Sequence, residues 1–183
     1  MNYVWYLPDF RRLGFLRKFL GGWRISEITY FQSGSAFDIT QTTDCQMLGI
    51  GGNRPDLVGE FRLLDPRPIR TFTLPNGATV TGHFGFDPSV FQIVNPTDWT
   101  QARNGNLERN AFSGYWSKSW NVAFAKEIAI HESAKAEFRL ETTNLFNHTN
   151  FSAPSASAEG STFGLVRSSG APRNIQFRFG IEF

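Results

Sequence analysis

Only one cysteine, Cys45, occurs in the 183-residue chain. Without a partner it cannot close an internal disulfide, and one thiolate cannot build a cysteine-based zinc or iron–sulfur site. Long apolar runs are missing too. Arg, Lys, Asp, Glu or Asn interrupts every stretch before it reaches the roughly 18 to 20 residues that a membrane-crossing helix needs, which excludes a helical membrane protein. Nor is there a surplus of one charge. The chain has 18 Lys and Arg against 16 Asp and Glu, and the formal charge of +2 gives no field that would draw in a nucleic acid. The opening residues Met1-Asn2-Tyr3-Val4-Trp5-Tyr6-Leu7 have no basic start, no longer apolar core and no small-residue cleavage site. They are not expected to be a signal peptide, which leaves a cytoplasmic protein or a piece of a longer chain.

Aromatic residues are what the chain has in quantity: 19 Phe, 5 Trp and 4 Tyr, too many for disorder. They fall in an alternating pattern. In residues 174–183, Ile175, Phe177, Phe179, Ile181 and Phe183 share one face, and Asn174, Gln176, Arg178, Gly180 and Glu182 share the other. Residues 117–130 repeat this with Trp120, Val122, Phe124, Ile128 and Ile130 on the dry face, where Lys126 is the one misfit. In residues 135–143 the wet face is Lys135, Glu137, Arg139, Glu141 and Thr143, and the dry face is Ala136, Phe138, Leu140 and Thr142. Such patterning predicts antiparallel strands. The four residues between the last two strands are of hairpin length.

A dry face can meet a second sheet, as in a soluble sandwich, or lipid, as in an outer-membrane barrel whose wet face lines the lumen. Strand lengths near the roughly 9 to 11 residues that cross a bilayer favour the barrel, as do aromatic residues toward strand ends and charges crowded on the wet face. Loop parity agrees. If Phe183 ends in the periplasm, residues 131–134 form a short periplasmic turn, and residues 147–173 and 34–116 are long extracellular loops. Residues 23–31 then form an ascending strand and residues 3–7 the end of an earlier descending one. Residues 9–22 would hold a short periplasmic helix using Phe10, Phe15, Leu16, Phe19 and Leu20. Within residues 34–116, strand-like pieces at 36–40, 70–74 and 78–83 suggest an extracellular extension of the sheet plus a folded-over loop, with Asn76-Gly77 as a hairpin signal. Ser155-Ala156-Ser157-Ala158 suggests a flexible loop tip.

Several segments resemble the C-terminal barrel end of TonB-dependent outer-membrane receptors, specifically the Oar-like group with an N-terminal carboxypeptidase-regulatory-like domain. They include Leu20-Gly21-Gly22-Trp23 with Gln32-Ser33-Gly34, Asn53-Arg54-Pro55-Asp56, and Phe86-Asp87-Pro88-Ser89-Val90-Phe91. Gly105-Asn106, Arg109-Asn110 and Arg139-Leu140-Glu141 continue the series. Asn144-Leu145-Phe146-Asn147-His148-Thr149-Asn150-Phe151, Thr162-Phe163-Gly164 and Pro172-Arg173-Asn174-Ile175-Gln176-Phe177 complete it. The terminal Phe183 resembles the signal read by the barrel-assembly machinery. The resemblance implies the outer membrane of a Gram-negative bacterium and a barrel of about 22 strands around a plug, energised through TonB. Roughly five strands are fewer than the eight or so that close the smallest barrel, so an all-β C-terminal fragment is expected.

Residues that might carry chemistry have plainer explanations. Gly49-Ile50-Gly51-Gly52-Asn53 is followed by Arg54-Pro55 rather than by the helix a phosphate loop needs. His83, His131 and His148 show no metal-ligand spacing. Asn147-His148-Thr149 fits a glycosylation sequon, but Asn and Thr also cap turns. Arg139 between Glu137 and Glu141 would keep both carboxylates ionised, which suits an ion-pair ladder rather than a general acid. No catalytic residue, cofactor or metal is expected.

The barrel interpretation assigns Glu137, Arg139, Glu141, Arg178 and Glu182 to the lumen and Phe183 to assembly. It assigns Trp120, Val122, Phe124, Phe138, Leu140, Phe177, Phe179 and Ile181 to lipid. Expected partners are outer-membrane lipid, the assembly machinery, the rest of the barrel and plug with TonB through the N-terminal part, and a ligand that the residues do not identify. The alternatives are a soluble or surface β-sandwich adhesin or glycan-binding module, with Trp5, Trp23, Trp99, Trp116 and Trp120 as a platform, and a passive porin.

Overall fold

The structure, a computed structural model, describes residues 1–8, 14–15, 20–131 and 134–183. Most of the expected helix at 9–22 and the centre of the 131–134 turn lie outside these residues. Among the described residues no helix is long and apolar enough to cross a membrane. The chain divides into a sheet unit, Met1–Gln32, Ser117–Asn150 and Ala171–Phe183, and a loop-built unit, Ser33–Trp116 and Phe151–Gly170.

The sheet unit is an antiparallel meander of β1 (Asn2–Tyr6), β2 (Trp23–Gln32), β9 (Ser117–His131), β10 (Ala134–Thr143) and β11 (Asn174–Glu182), paired in that order. β2 and β10 have 10 residues each, β11 has 9 and β9 has 15; β2, β9 and β10 each exceed the expected span by one residue, and β11 stops one residue short of it, before Phe183. β2 pairs with β9 from Trp23 opposite Lys126 to Gln32 opposite Ser117, although more than eighty residues separate them in sequence. A register irregularity at Ala134/Lys135 adjoins the hairpin. β1 and β11 are not paired with each other, so the sheet is open.

The loop-built unit has three two-stranded sheets: β3 (Ala36–Phe37) with β8 (Phe112–Ser113), β4 (Asp56–Leu57) with β7 (Phe91–Gln92), and β5 (Arg70–Thr73) with β6 (Thr79–Gly82). None extends the five-stranded sheet, which corrects the expected extension. These strands are too short to hold a sheet alone, and burial organises them instead. Ile39, Leu74, Phe84, Phe86, Phe91, Leu107, Phe112 and Phe163 form one buried cluster. Phe86 meets Phe91 at 5.4 Å and Phe163 at 5.1 Å between ring centres, near edge-to-face. The Asn76-Gly77 hairpin forms as expected, with Gly77 at φ +84° and Asn76 Oδ1 accepting from the Ala78 N–H at 3.0 Å. Ser155–Ala158 is no free loop tip. The Thr40 N–H donates to the Ala156 carbonyl at 3.0 Å, the Ala158 N–H donates to the Thr40 carbonyl at 2.8 Å, and Ala158 is fully buried.

Candidate functional site

Register sorts the side chains of the sheet into two faces, because directly opposed residues of an antiparallel pair point the same way. One face carries Leu140 between Phe124 and Phe177, Phe138 between Lys126 and Phe179, and Thr142 between Val122 and Ile175. Ile181 opposes Ala136 on this face, and Trp120 opposes Thr29. All eight residues assigned to lipid therefore share it. The other face carries Arg139 opposite Arg178, Glu141 opposite Gln176, Glu137 opposite Gly180 and Lys135 opposite Glu182. The five residues assigned to the lumen share that one. Among the described residues the ion pair of Arg139 goes to Glu141 at 2.6 Å and not to Glu137, so the expected ladder is a single rung. Phe183 lies beyond the end of β11 and is almost wholly exposed.

The apolar face has a definite height. Trp120 packs edge-on against Phe31 and Phe146, each at 5.1 Å between ring centres, and this aromatic cluster marks one border. From Trp120 to Ile130 is ten residues of β9. At about 3.4 Å per residue and a tilt of about 40°, they span roughly 25 Å, the height of an outer-membrane apolar band. Lys126, the misfit of the dry face, lies about 10 Å inside the far border on the same estimate. Its ammonium is 5.2 Å from the centre of the Trp23 ring, so the indole gives the charged tip a favourable neighbour while the stem follows the apolar face. Sequence reasoning missed a second charge here. Glu27 is opposite Val122 on this face and accepts a 2.5 Å hydrogen bond from the Thr29 hydroxyl. The poor alternation of β2, with Ile28 and Tyr30 on the polar side, was the available signal.

At the aromatic border, the run 144–150 works as a set of side-chain clamps. Asn144 and Asn147 adopt left-handed backbone conformations, φ +51° and +50°, which asparagine tolerates better than most residues. The Asn144 amide donates to the carbonyls of His148 and Ala171 at 2.9 and 3.2 Å and accepts from the His148 N–H at 2.9 Å. Asn150 accepts from the Lys118 N–H and donates to its carbonyl. Asn147 accepts from the Arg173 N–H at 3.0 Å. The exit of β10, the start of β9 and the approach to β11 are thereby tied together, and the sequon asparagine serves as a turn cap.

In the loop-built unit two further motif segments meet. The Asp56 carboxylate takes Arg103 in a two-pronged ion pair at 2.6 and 2.9 Å and accepts from the Asn106 N–H at 3.0 Å. The Arg103 guanidinium bonded to it, together with the Asn106 N–H, holds the Asp56 carboxyl below its usual range. A Cβ on Gly105 would come within 2.1 Å of the Pro55 carbonyl oxygen, so only glycine permits that approach. Cys45 is buried, with its thiol 3.3 Å from Asn53 Oδ1. Among the described residues, no three His, Cys, Asp or Glu side chains group as a metal site requires.

Long antiparallel strands, an exposed apolar face of bilayer height, a charged opposite face and two long insertions leaving from one end of the sheet define a segment of a transmembrane β-barrel. A sandwich would need a second sheet over Phe177 and Phe179, which are instead 72% and 69% exposed. The profile of the family described as Outer membrane beta barrel domain matches residues 1–176. The chain belongs to this family, and its place is the outer membrane. Neither a search of curated proteins nor one of solved structures finds a match.

Proposed function

We propose that the chain is the C-terminal part of a TonB-dependent, Oar-like receptor and contributes five strands to a barrel of about 22. The face with Phe124, Leu140, Phe177 and Phe179 meets lipid, and the face with Glu137, Arg139, Glu141, Arg178 and Glu182 lines the lumen. Residues 34–116 and 147–173 are the extracellular loops that meet the ligand. Phe183 is read by the assembly machinery, and the open edges at β1 and β11 pair with the remaining strands around a plug that couples to TonB. The chain's role is mechanical and selective, with no catalytic step.

The observation that supports this most is the folding of the motif segments. Asn53–Asp56 and Gly105–Asn106 in the loop-built unit and the 144–150 run in the sheet unit are scattered in sequence, yet each supplies backbone-directed bonds or close approaches that fix the loops of its own unit. A passive porin shares the faces but gives no account of that match to the receptor pattern.

An antibody against residues 33–116 tests the proposal on outer membranes of the source cell. The expected species is heat-modifiable, far larger than the 20.7 kDa of this chain, and retained by a TonB C-terminal domain. A membrane band of about 20 kDa that ignores TonB would overturn it.

A further inference from the structure

The loop-built unit holds a cavity of about 240 Å³ that none of the preceding roles uses. Its wall includes Arg67, His83, Phe151, Arg167, Ser168 and Ser169, and no carboxylate lines it. The wall is fixed by backbone bonds. The Val166 N–H donates to the His83 carbonyl at 2.8 Å, and the Ser152 N–H donates to the Ser168 carbonyl at 3.0 Å. Arg167 therefore stands between two anchored residues. Among the described residues its guanidinium has no acidic partner. Arg67 is 3.8 Å from Asp65 through Nε alone, which leaves its two terminal nitrogens. His83 Nδ1 is 2.8 Å from the Pro66 carbonyl oxygen. A carbonyl only accepts, so Nδ1 carries a proton, which holds the ring against the Pro66 carbonyl as part of the wall. Phe151 is backed edge-on by Tyr115 at 5.6 Å, and the Tyr115 hydroxyl donates to the Leu64 carbonyl at 2.7 Å.

We infer that this cavity binds an oxyanion, a carboxylate or phosphate, carried on a small ring that lies against Phe151. Two guanidinium groups on a wall that no carboxylate lines suit the paired oxygens of such a group. The Ser168 hydroxyl is already given to Ser152 Oγ at 3.0 Å, so Ser169 supplies the neutral donor, and the phenyl ring offers an apolar wall. The volume is below the roughly 300 to 1,000 Å³ of drug-sized sites, and the cleft is open to solvent, so the part of the occupant it holds is about one ring and one charged group. The site stands on the loop-built unit alone and is read by binding rather than uptake, so its failure would leave the receptor proposal untouched.

The test is calorimetric titration of the full chain, folded in detergent micelles, with phenyl phosphate, benzoate and the neutral analogue phenol. Saturable binding is expected for at least one anion and not for phenol. Arg167→Gln and Arg67→Gln should each weaken it roughly tenfold, the loss of one charge-assisted hydrogen bond. Phe151→Leu should weaken it less. Arg62→Gln, which removes an exposed guanidinium paired with Glu60, should leave it unchanged. Equal affinity for phenol, no saturation by either anion, or full affinity in both cavity arginine variants would overturn the assignment.

Discussion

Phe84, Phe86 and Phe163 in the loop-built unit are completely buried, whereas Phe177 and Phe179 on the sheet are 72% and 69% exposed. Apart from Ala125 and Ala136, every buried hydrophobic residue among those described belongs to the loop-built unit. The same side chain thus obeys two solvents within one chain. In water a phenyl ring must be enclosed by its own unit, and rings at 5 to 6 Å edge-to-face do this in the Phe86, Phe91 and Phe163 cluster. In the bilayer the solvent is itself apolar, so a ring on the strand face needs no protein cover. The contrast lets the exposed face be interpreted as finished rather than defective.

The largest effect should come from crossing that division. Phe163→Ala removes a ring from the enclosed core and is expected to cost about 3 to 5 kcal/mol. Limited proteolysis should then cut within residues 33–116 while the strands stay protected. Phe179→Ala should leave that proteolysis pattern unchanged. Next in size, Leu140→Arg on the apolar face should cost about 2 to 4 kcal/mol if it sits near the bilayer centre, and Gln176→Arg on the opposite face should cost little. Urea unfolding from lipid vesicles compares the two, and equal losses would sink the assignment of faces.

A third expectation concerns the clamps. Asn144 is 5% exposed, so Asn144→Ala leaves the His148 N–H and two carbonyls short of partners and should cost about 1 to 3 kcal/mol. Amide hydrogen exchange should rise at 144–150 before it rises at the core of β10. Acid supplies a subtler probe. Burial pushes the Glu159 carboxyl up, but hydrogen bonds from the hydroxyls and N–H groups of Thr42 and Thr43 outweigh it and hold the group below 4.5. A carboxylate lowered in the folded state contributes stability above its unfolded value, and that contribution disappears as pH falls through the folded value. The loop-built unit should therefore keep this contribution from pH 7 to about pH 5 and lose that contribution, not its whole stability, below. Glu159→Gln should flatten that acid limb in a pH series of urea midpoints. Smallest of all, Arg139→Ala removes a half-exposed ion pair and should change stability by about 0 to 1 kcal/mol.

Strand existence and facing were legible in residues 117–143 and 174–183 because a strand's side chains alternate with a period of two and depend on no distant residue. Lys126 was visible as a misfit, yet its Trp23 neighbour was not, since that contact rests on a pairing across more than eighty residues. The cavity with Arg67, His83 and Arg167 left no local trace. Arg67 and Arg167 are a hundred positions apart, and no spacing rule joins them. The motif glycines and asparagines could be recognised as segments but not explained until Gly105 was seen against Pro55 and Asn150 against Lys118.

By itself the sequence determined the all-β class, the antiparallel strands and the division of their faces into apolar and charged, because local geometry alone imposes that pattern. Tertiary structure decided which strands are neighbours, and it decided that residues 33–116 and 151–170 share one phenylalanine core instead of extending the sheet. It also decided which asparagines bond to which backbone groups. These are outcomes of packing between segments far apart in the chain, where burial of apolar surface chooses among many locally equal arrangements.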